Sequence, residues 1–318
     1  MTEPLDVAPL LDPEIAAFLA ALPLDIGSIL GGLTDDGIAT VRELFNAGPP
    51  LERSGHTDTT VHDVPGTDGV TVRVHRPVDA SGALPCVVWM HGGGLVLGRA
   101  EGDDARFDRW CPMFGCVGVS IDYRLAPETP YPGPLDDCYA ALRWVHDHAD
   151  ELGVDRARIG IGGASAGGGL AAGLGLLARD RGEVRVAFQL LIYPMLDDRQ
   201  ITVSSTWADP IWPPSANTYG WTAYLGAAKG GPDVPIYAAA ARATDLAGLP
   251  PTYVCVGALD GFSDEDIDYV VRLRHAGVPT ELHVYPGAPH GFDSLMATTS
   301  VAQRCNADME TWLALHLT

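Results

Sequence analysis

Three short stretches of the sequence carry side chains able to act together on a carbonyl carbon. In Gly163-Ala164-Ser165-Ala166-Gly167 a hydroxyl has a glycine two residues away on either side. A serine on a sharp turn between a strand and a helix has its hydroxyl lifted clear of the backbone, provided nothing bulky stands two residues before or after it. The N-terminus of the following helix favours negative charge developing there. The pentapeptide alone also fits a glycine-rich turn that binds phosphate. The strand expected before it and the helix expected after it favour the nucleophile, and no Walker lysine follows.

His91-Gly92-Gly93-Gly94 lies earlier in the chain, after another apolar run. Acyl transfer builds charge on the carbonyl oxygen, which fixed backbone N–H groups can hold. Glycines let the backbone come that close and adopt the dihedrals required. The expected donors are Gly93, Gly94 and Ala166, the residue after the serine. His91 is expected to hydrogen-bond its own loop and shape it, not to serve as the base.

The base must then come from among the other nine histidines. His290 follows the apolar run that ends at Tyr285, within Pro286-Gly287-Ala288-Pro289-His290-Gly291-Phe292. His283 lies within a strand, and His56, His62 and His75 precede the core motifs. His146, His148, His275 and His316 fall on expected helices. Asp260 closely follows the run 252–257 and precedes His290 by 30 residues, room for one helix and one strand. Such an acid would fix the imidazole tautomer and stabilise the imidazolium. Asp264, Glu265 and Asp266 are rivals for that role, with a place at a helix N-terminus as their alternative.

The intervening sequence supplies elements to position these groups. Hydrophobic periodicity predicts helices at 14–22, 36–46, 135–151, 165–179, 264–276 and 301–316. It predicts strands near 57–64, 69–76, 84–90, 117–123, 159–163, 186–193, 252–257 and 281–285. Strands alternating with helices imply an α/β fold, with a mainly parallel sheet flanked by helices. In such a sheet functional residues gather where strands end. Residues 199–226, rich in Trp, Pro and Tyr, break the alternation.

Composition narrows the function further. With 318 residues and 47% hydrophobic content, one large core is expected. A formal net charge of −21 disfavours nucleic acid and anionic membrane as partners. No run of 18 apolar residues suggests a membrane span, and the start of the chain lacks the basic region of a secretion signal. A cytoplasmic protein is the simplest expectation. The six cysteines are far apart with no CxxC pair, so buried thiols are expected and no metal site.

Together these motifs resemble the hormone-sensitive-lipase-like esterases, also called bacterial family IV lipases. The resemblance rests on His91-Gly92-Gly93-Gly94, Tyr123-Arg124-Leu125-Ala126-Pro127-Glu128, the 163–167 turn, Asp260 with Asp264-Glu265, and His290-Gly291-Phe292. It spans roughly residues 60–316. It implies an α/β-hydrolase fold and a triad of Ser165, Asp260 and His290 acting on carboxylic esters with short to medium acyl chains, without cofactor. It also implies a small helical cap, made of residues 1–50 and an insert at about 199–226, over a catalytic domain of residues 51–318. Arg124 and Glu128 are expected to form an ion pair. Leu95, where relatives often carry an aromatic, is expected to widen the acyl side of the pocket. Homodimers occur in that family, which leaves a homodimer open here. An amidase or deacetylase on the same site, and a non-catalytic receptor for small molecules, are the competing functions. The cap aromatics Trp207, Trp212, Tyr219, Trp221 and Tyr224 could line a substrate channel or form the cap's own core.

Overall fold

The computed structural model describes residues 5–47 and 54–318. Eight strands form one sheet: β1 (Thr57–Asp63), β2 (Thr71–Pro77), β3 (Leu84–Met90), β4 (Val117–Asp122), β5 (Val154–Ala164), β6 (Gln189–Ile192), β7 (Thr252–Gly257) and β8 (Thr280–Tyr285). Their spatial order is β1-β2-β4-β3-β5-β6-β7-β8. β2 runs antiparallel to both β1 and β4, and every other pairing is parallel. The central strands read as apolar runs because helices cover both of their faces.

Alternation along β3 divides the core. Val88 and Met90 face one apolar cluster, Val87 and Trp89 the other. The first is closed by α5 (Gly133–Asp147), α7 (Ala166–Arg181) and α9 (Ser263–His275), and the second by α4 (Asp104–Phe114) and α11 (Ser300–His316). α7 has little amphipathic character and is buried almost all round. Its small residues allow that: a Cβ on Gly169 would stand 2.2 Å from the Met195 carbonyl oxygen, and one on Gly173 2.2 Å from that of Tyr237.

Three helices precede the sheet: α1 (Pro13–Ala21), α2 (Ile26–Gly31) and α3 (Ile38–Asn46). They are tied to the rest by specific bonds. Glu14 accepts from Ser300 N and Oγ, and Arg42 donates to the Val96 and Ala126 carbonyls and to Glu128. α2 packs on α8 (Pro214–Leu225), the helix within the segment that broke the alternation. The boundary expected between residues 50 and 51 lies outside the described residues.

The expected helices and strands are found with end shifts of a few residues, except that the helix expected at 135–151 is interrupted at His148, between α5 and a one-turn helix at Ala149–Leu152. α2 and α4 were not anticipated. α4 carries Phe107, Trp110 and Cys111 at helical spacing and ends at Gly115 with φ 61°. Its charged residues and Pro112 obscure that pattern.

Candidate active site

Ser165 stands where β5 turns into α7, with φ 58°. A non-glycine residue rarely adopts that conformation, and the surroundings must hold it there. The packing explains the flanking glycines. A Cβ on Gly163 would lie 2.3 Å from the Gly167 carbonyl oxygen, and one on Gly167 2.0 Å from that of Met90. The turn can form only if both positions lack side chains.

Asp260 and His290 sit on the loops after β7 and β8, adjacent in the sheet. His290 Nε2 is 2.9 Å from Ser165 Oγ, and His290 Nδ1 is 2.7 Å from Asp260 Oδ2. All three residues are buried. Burial would lower the imidazole pKa, but the Asp260 carboxylate and its hydrogen bond outweigh that effect and hold it above the ordinary value. Asp260 also accepts from Phe262 N at 2.9 Å, which fixes its own loop. The rival acids point elsewhere. Asp264 accepts from Ser204 N, and Glu265 from Leu196 N and Asp197 N. Burial raises the Glu265 and Asp266 carboxyls well above the usual carboxylate range.

The glycine loop after β3 passes beside the serine. Gly93 has φ 123° and Gly94 φ 60°, conformations that favour glycine. Among the described residues, neither amide donates a hydrogen bond. Ala166 N–H belongs to the first turn of α7, whose amides have no intrahelical acceptor. His91 donates from Nδ1 to the Gly92 carbonyl at 2.8 Å and stacks on Tyr123 with centroids 4.2 Å apart. Burial lowers its pKa, which favours the neutral ring. Tyr123 OH donates to the His91 carbonyl at 2.7 Å, and Ala126 N to that of Leu95 at 3.0 Å. The 123–128 stretch thus braces the glycine loop.

Two expectations are corrected here. Arg124 and Glu128 do not pair: Arg124 bonds Asp137 on α5 at 2.6 Å, and Glu128 bonds Arg42 on α3 at 2.7 Å. The turn after β4 sends the two side chains to different helices. Leu95 does not shape the cavity. It is buried in the core, while its neighbours Gly94 and Leu97 form the wall.

Ser165 and His290 open into a cavity of about 1280 Å³. Ile26, Leu30, Leu97, Ile211 and Trp212 give it an apolar side. Its other side carries paired charges, Arg73 with Asp104, Arg109 with Glu310 and Arg106 with Asp293. Of the cap aromatics, Trp212 lines the cavity, Trp221 and Tyr224 are in the core, and Tyr219 OH donates to Asp35 at 3.0 Å.

Several residues near His290 carried no sequence signal of their own. Tyr193 packs edge-on against the imidazole at 4.7 Å and donates its OH to Asp293, which in turn faces Arg106 at 3.4 Å. Asp209 accepts from the His290 backbone N–H. Asp293, three residues beyond His290, could have been suspected from proximity. Tyr193 and Asp209 are brought there only by the folding of distant segments.

Matches to known proteins identify the family. A family profile described as alpha/beta hydrolase fold matches residues 87–294. Esterase LipI of Mycobacterium tuberculosis is 35% identical over 295 residues, covering 90% of this chain and 89% of that protein. Carboxylesterase NlhH of the same species is 36% identical, covering 92% of each. Among solved structures, a bacterial heroin esterase superposes with a TM-score of 0.90 at 44% identity, covering 98% of this chain and 99% of that one. The chain therefore belongs to the alpha/beta hydrolase fold family, and within it to the hormone-sensitive-lipase-like carboxylesterases.

Proposed function

We propose that Ser165, His290 and Asp260 act in series as nucleophile, base and orienting acid, hydrolysing carboxylic esters with short to medium acyl chains. The observation that carries this reading is the unbroken contact from Ser165 Oγ through the imidazole to Asp260, with separations of 2.9 and 2.7 Å.

Ser165 Oγ attacks the ester carbonyl carbon while His290 Nε2 takes its proton. The resulting oxyanion is held by the N–H groups of Gly93, Gly94 and Ala166. The imidazolium, steadied by Asp260, returns the proton to the departing alkoxide, and an acyl-enzyme remains. Water then attacks the acyl carbon, with His290 again taking a proton, and the acid leaves as Ser165 recovers its own. Each oxyanion donor is worth about 10²–10³ in rate.

The segment from α1 to α3 and the stretch around α8 both supply residues to the cavity wall. We read them as a cap, with the apolar side around Trp212 and Leu97 taking the acyl chain. Among the described residues no helix is long and apolar enough to cross a membrane. The six buried, unbridged thiols suit a reducing compartment, in keeping with a cytoplasmic enzyme.

A panel of nitrophenyl esters of rising chain length, run beside matched anilides, tests this reading. The expected result is ester turnover greatest at short to medium chains, weak anilide cleavage, and loss of turnover in Ser165→Ala. Equal turnover by wild type and Ser165→Ala would defeat it.

A further inference from the structure

Asp209 stands outside the catalytic series yet touches the base. It lies between Trp207 and α8 and is 2% exposed. Its Oδ2 accepts from the His290 backbone N–H at 2.9 Å. Its Oδ1 accepts from Ile211 N at 2.7 Å and Trp212 N at 2.9 Å. Three amides therefore converge on one buried carboxylate, and they come from two segments. One is the loop that carries the base. The other is the turn that carries Trp212, whose indole lines the cavity and meets Gly94 on the glycine loop.

We propose that Asp209 is a positioning residue that clamps the His290 loop to the Trp212 turn, so that the base and the pocket wall keep one fixed relation. This rests on the reading of Ser165, His290 and Asp260 as the catalytic series. A buried amide needs an acceptor, and a charged one bonds it more strongly than a neutral one. Placed on the backbone side of His290, the carboxylate leaves both ring nitrogens free for Asp260 and Ser165. A displacement of about 1 Å in such a group costs about a hundredfold in rate, so the clamp has a large effect to protect.

The charge matters as well as the shape. The ionisable groups facing Asp209 are Asp260, on the loop after β7, and His290. His290 itself also faces Asp293, next to Gly291 and Phe292 on the loop's far side. Burial, then repulsion from Asp260, pushes the Asp209 carboxyl up to about 6, while His290 and the amide bonds act against that rise. Ionised, Asp209 helps to hold the imidazole's pKa up.

Asp209→Asn is the informative variant. Its amide offers one acceptor, and its NH₂ must confront either the His290 N–H or the Trp212 turn. The expected result is a fall in kcat of about tenfold to a hundredfold. The acid limb of kcat/KM should also move to lower pH, because a negative charge beside His290 is gone. Trp212→Leu keeps the backbone bonds, so it should raise KM and leave that limb in place. A kcat within twofold of wild type and an unmoved limb in Asp209→Asn would overturn the proposal.

Should Asp209→Asn not fold, amide exchange in the wild-type protein decides. The His290, Ile211 and Trp212 amides should be protected near neutral pH, and should lose protection together as pH falls through about 6. Rapid exchange of either segment at neutral pH would overturn the clamp. Failure of the underlying catalytic series looks different: wild-type protein would hydrolyse no ester and take no phosphonate at Ser165. Failure of the clamp alone leaves both intact.

Discussion

Gly94 faces Trp212 so closely that a Cβ on residue 94 would stand 2.1 Å from the indole Cη2. The glycine loop and the segment before α8 are therefore built against one another. α8 adds to this closure, since a Cβ on Gly220 would lie 2.5 Å from the Gly94 carbonyl oxygen.

Gly94→Ala is expected to fail for two reasons. Residue 94 has φ 60°, which strains any residue with a Cβ, and the added methyl collides with the indole. The loop must shift, and with it one of the N–H groups proposed to hold the oxyanion. Steady-state kinetics should show kcat reduced about 10²–10³-fold. The double variant Gly94→Ala with Trp212→Ala removes the collision but not the strained dihedral, and should recover only part of that loss.

The pH dependence follows from the burial of His290 beside Asp260. Protonated imidazole cannot accept the serine proton, so activity falls as pH falls through the His290 pKa. Asp260 holds that pKa above the ordinary imidazole value of about 6.5. The acid limb of kcat/KM should therefore have its midpoint above about 6.5. Asp260→Asn removes the charge and fixes the wrong tautomer. It should move the limb to lower pH and reduce kcat about 10⁴-fold.

Much of this site was legible because its parts sit at strand ends. Ser165, Asp260 and His290 each follow an apolar run long enough to be recognised, and each run proved to be a strand: β5, β7 and β8. The glycines at 163 and 167 mark a contact that the structure then displays, between α7's first turn and the end of β3. What was not legible depends on distant segments meeting. Asp209 lies 81 residues before the amide it accepts, and Tyr193 lies 100 residues before Asp293. No local pattern encodes either bond. Arg124 and Glu128 misled for another reason: the resemblance suggested a pair within the 123–128 stretch, but the turn after β4 directs them to α5 and α3. α4 was hidden by Pro112 and by its charges, three of which pair with distant residues beside the cavity: Asp104 with Arg73, Arg106 with Asp293 and Arg109 with Glu310.

Stability should carry its own pH signature through Asp266. Its two carboxyl oxygens have no hydrogen-bond partner among the described residues, and burial, with Glu265 and Asp260 nearby, raises its pKa well above the usual range. For an acid whose folded pKa is raised, the native state binds the proton more tightly than the unfolded chain. Its favourable contribution is complete below the unfolded value of about 3.9 and is lost as pH rises from there towards the folded value. Asp266→Asn, which stays neutral, should melt above wild type at pH 8. The difference should shrink towards pH 4. A thermal melt series across that range checks the sign.

The most direct measurement is intact-mass analysis after treatment with an aryl phosphonate, followed by peptide mapping. The expected result is one phosphonyl group per chain, located on Ser165, with labelling slowed severely in His290→Ala and absent in Ser165→Ala. An adduct on another residue, or labelling of Ser165 at the same rate without His290, would contradict it.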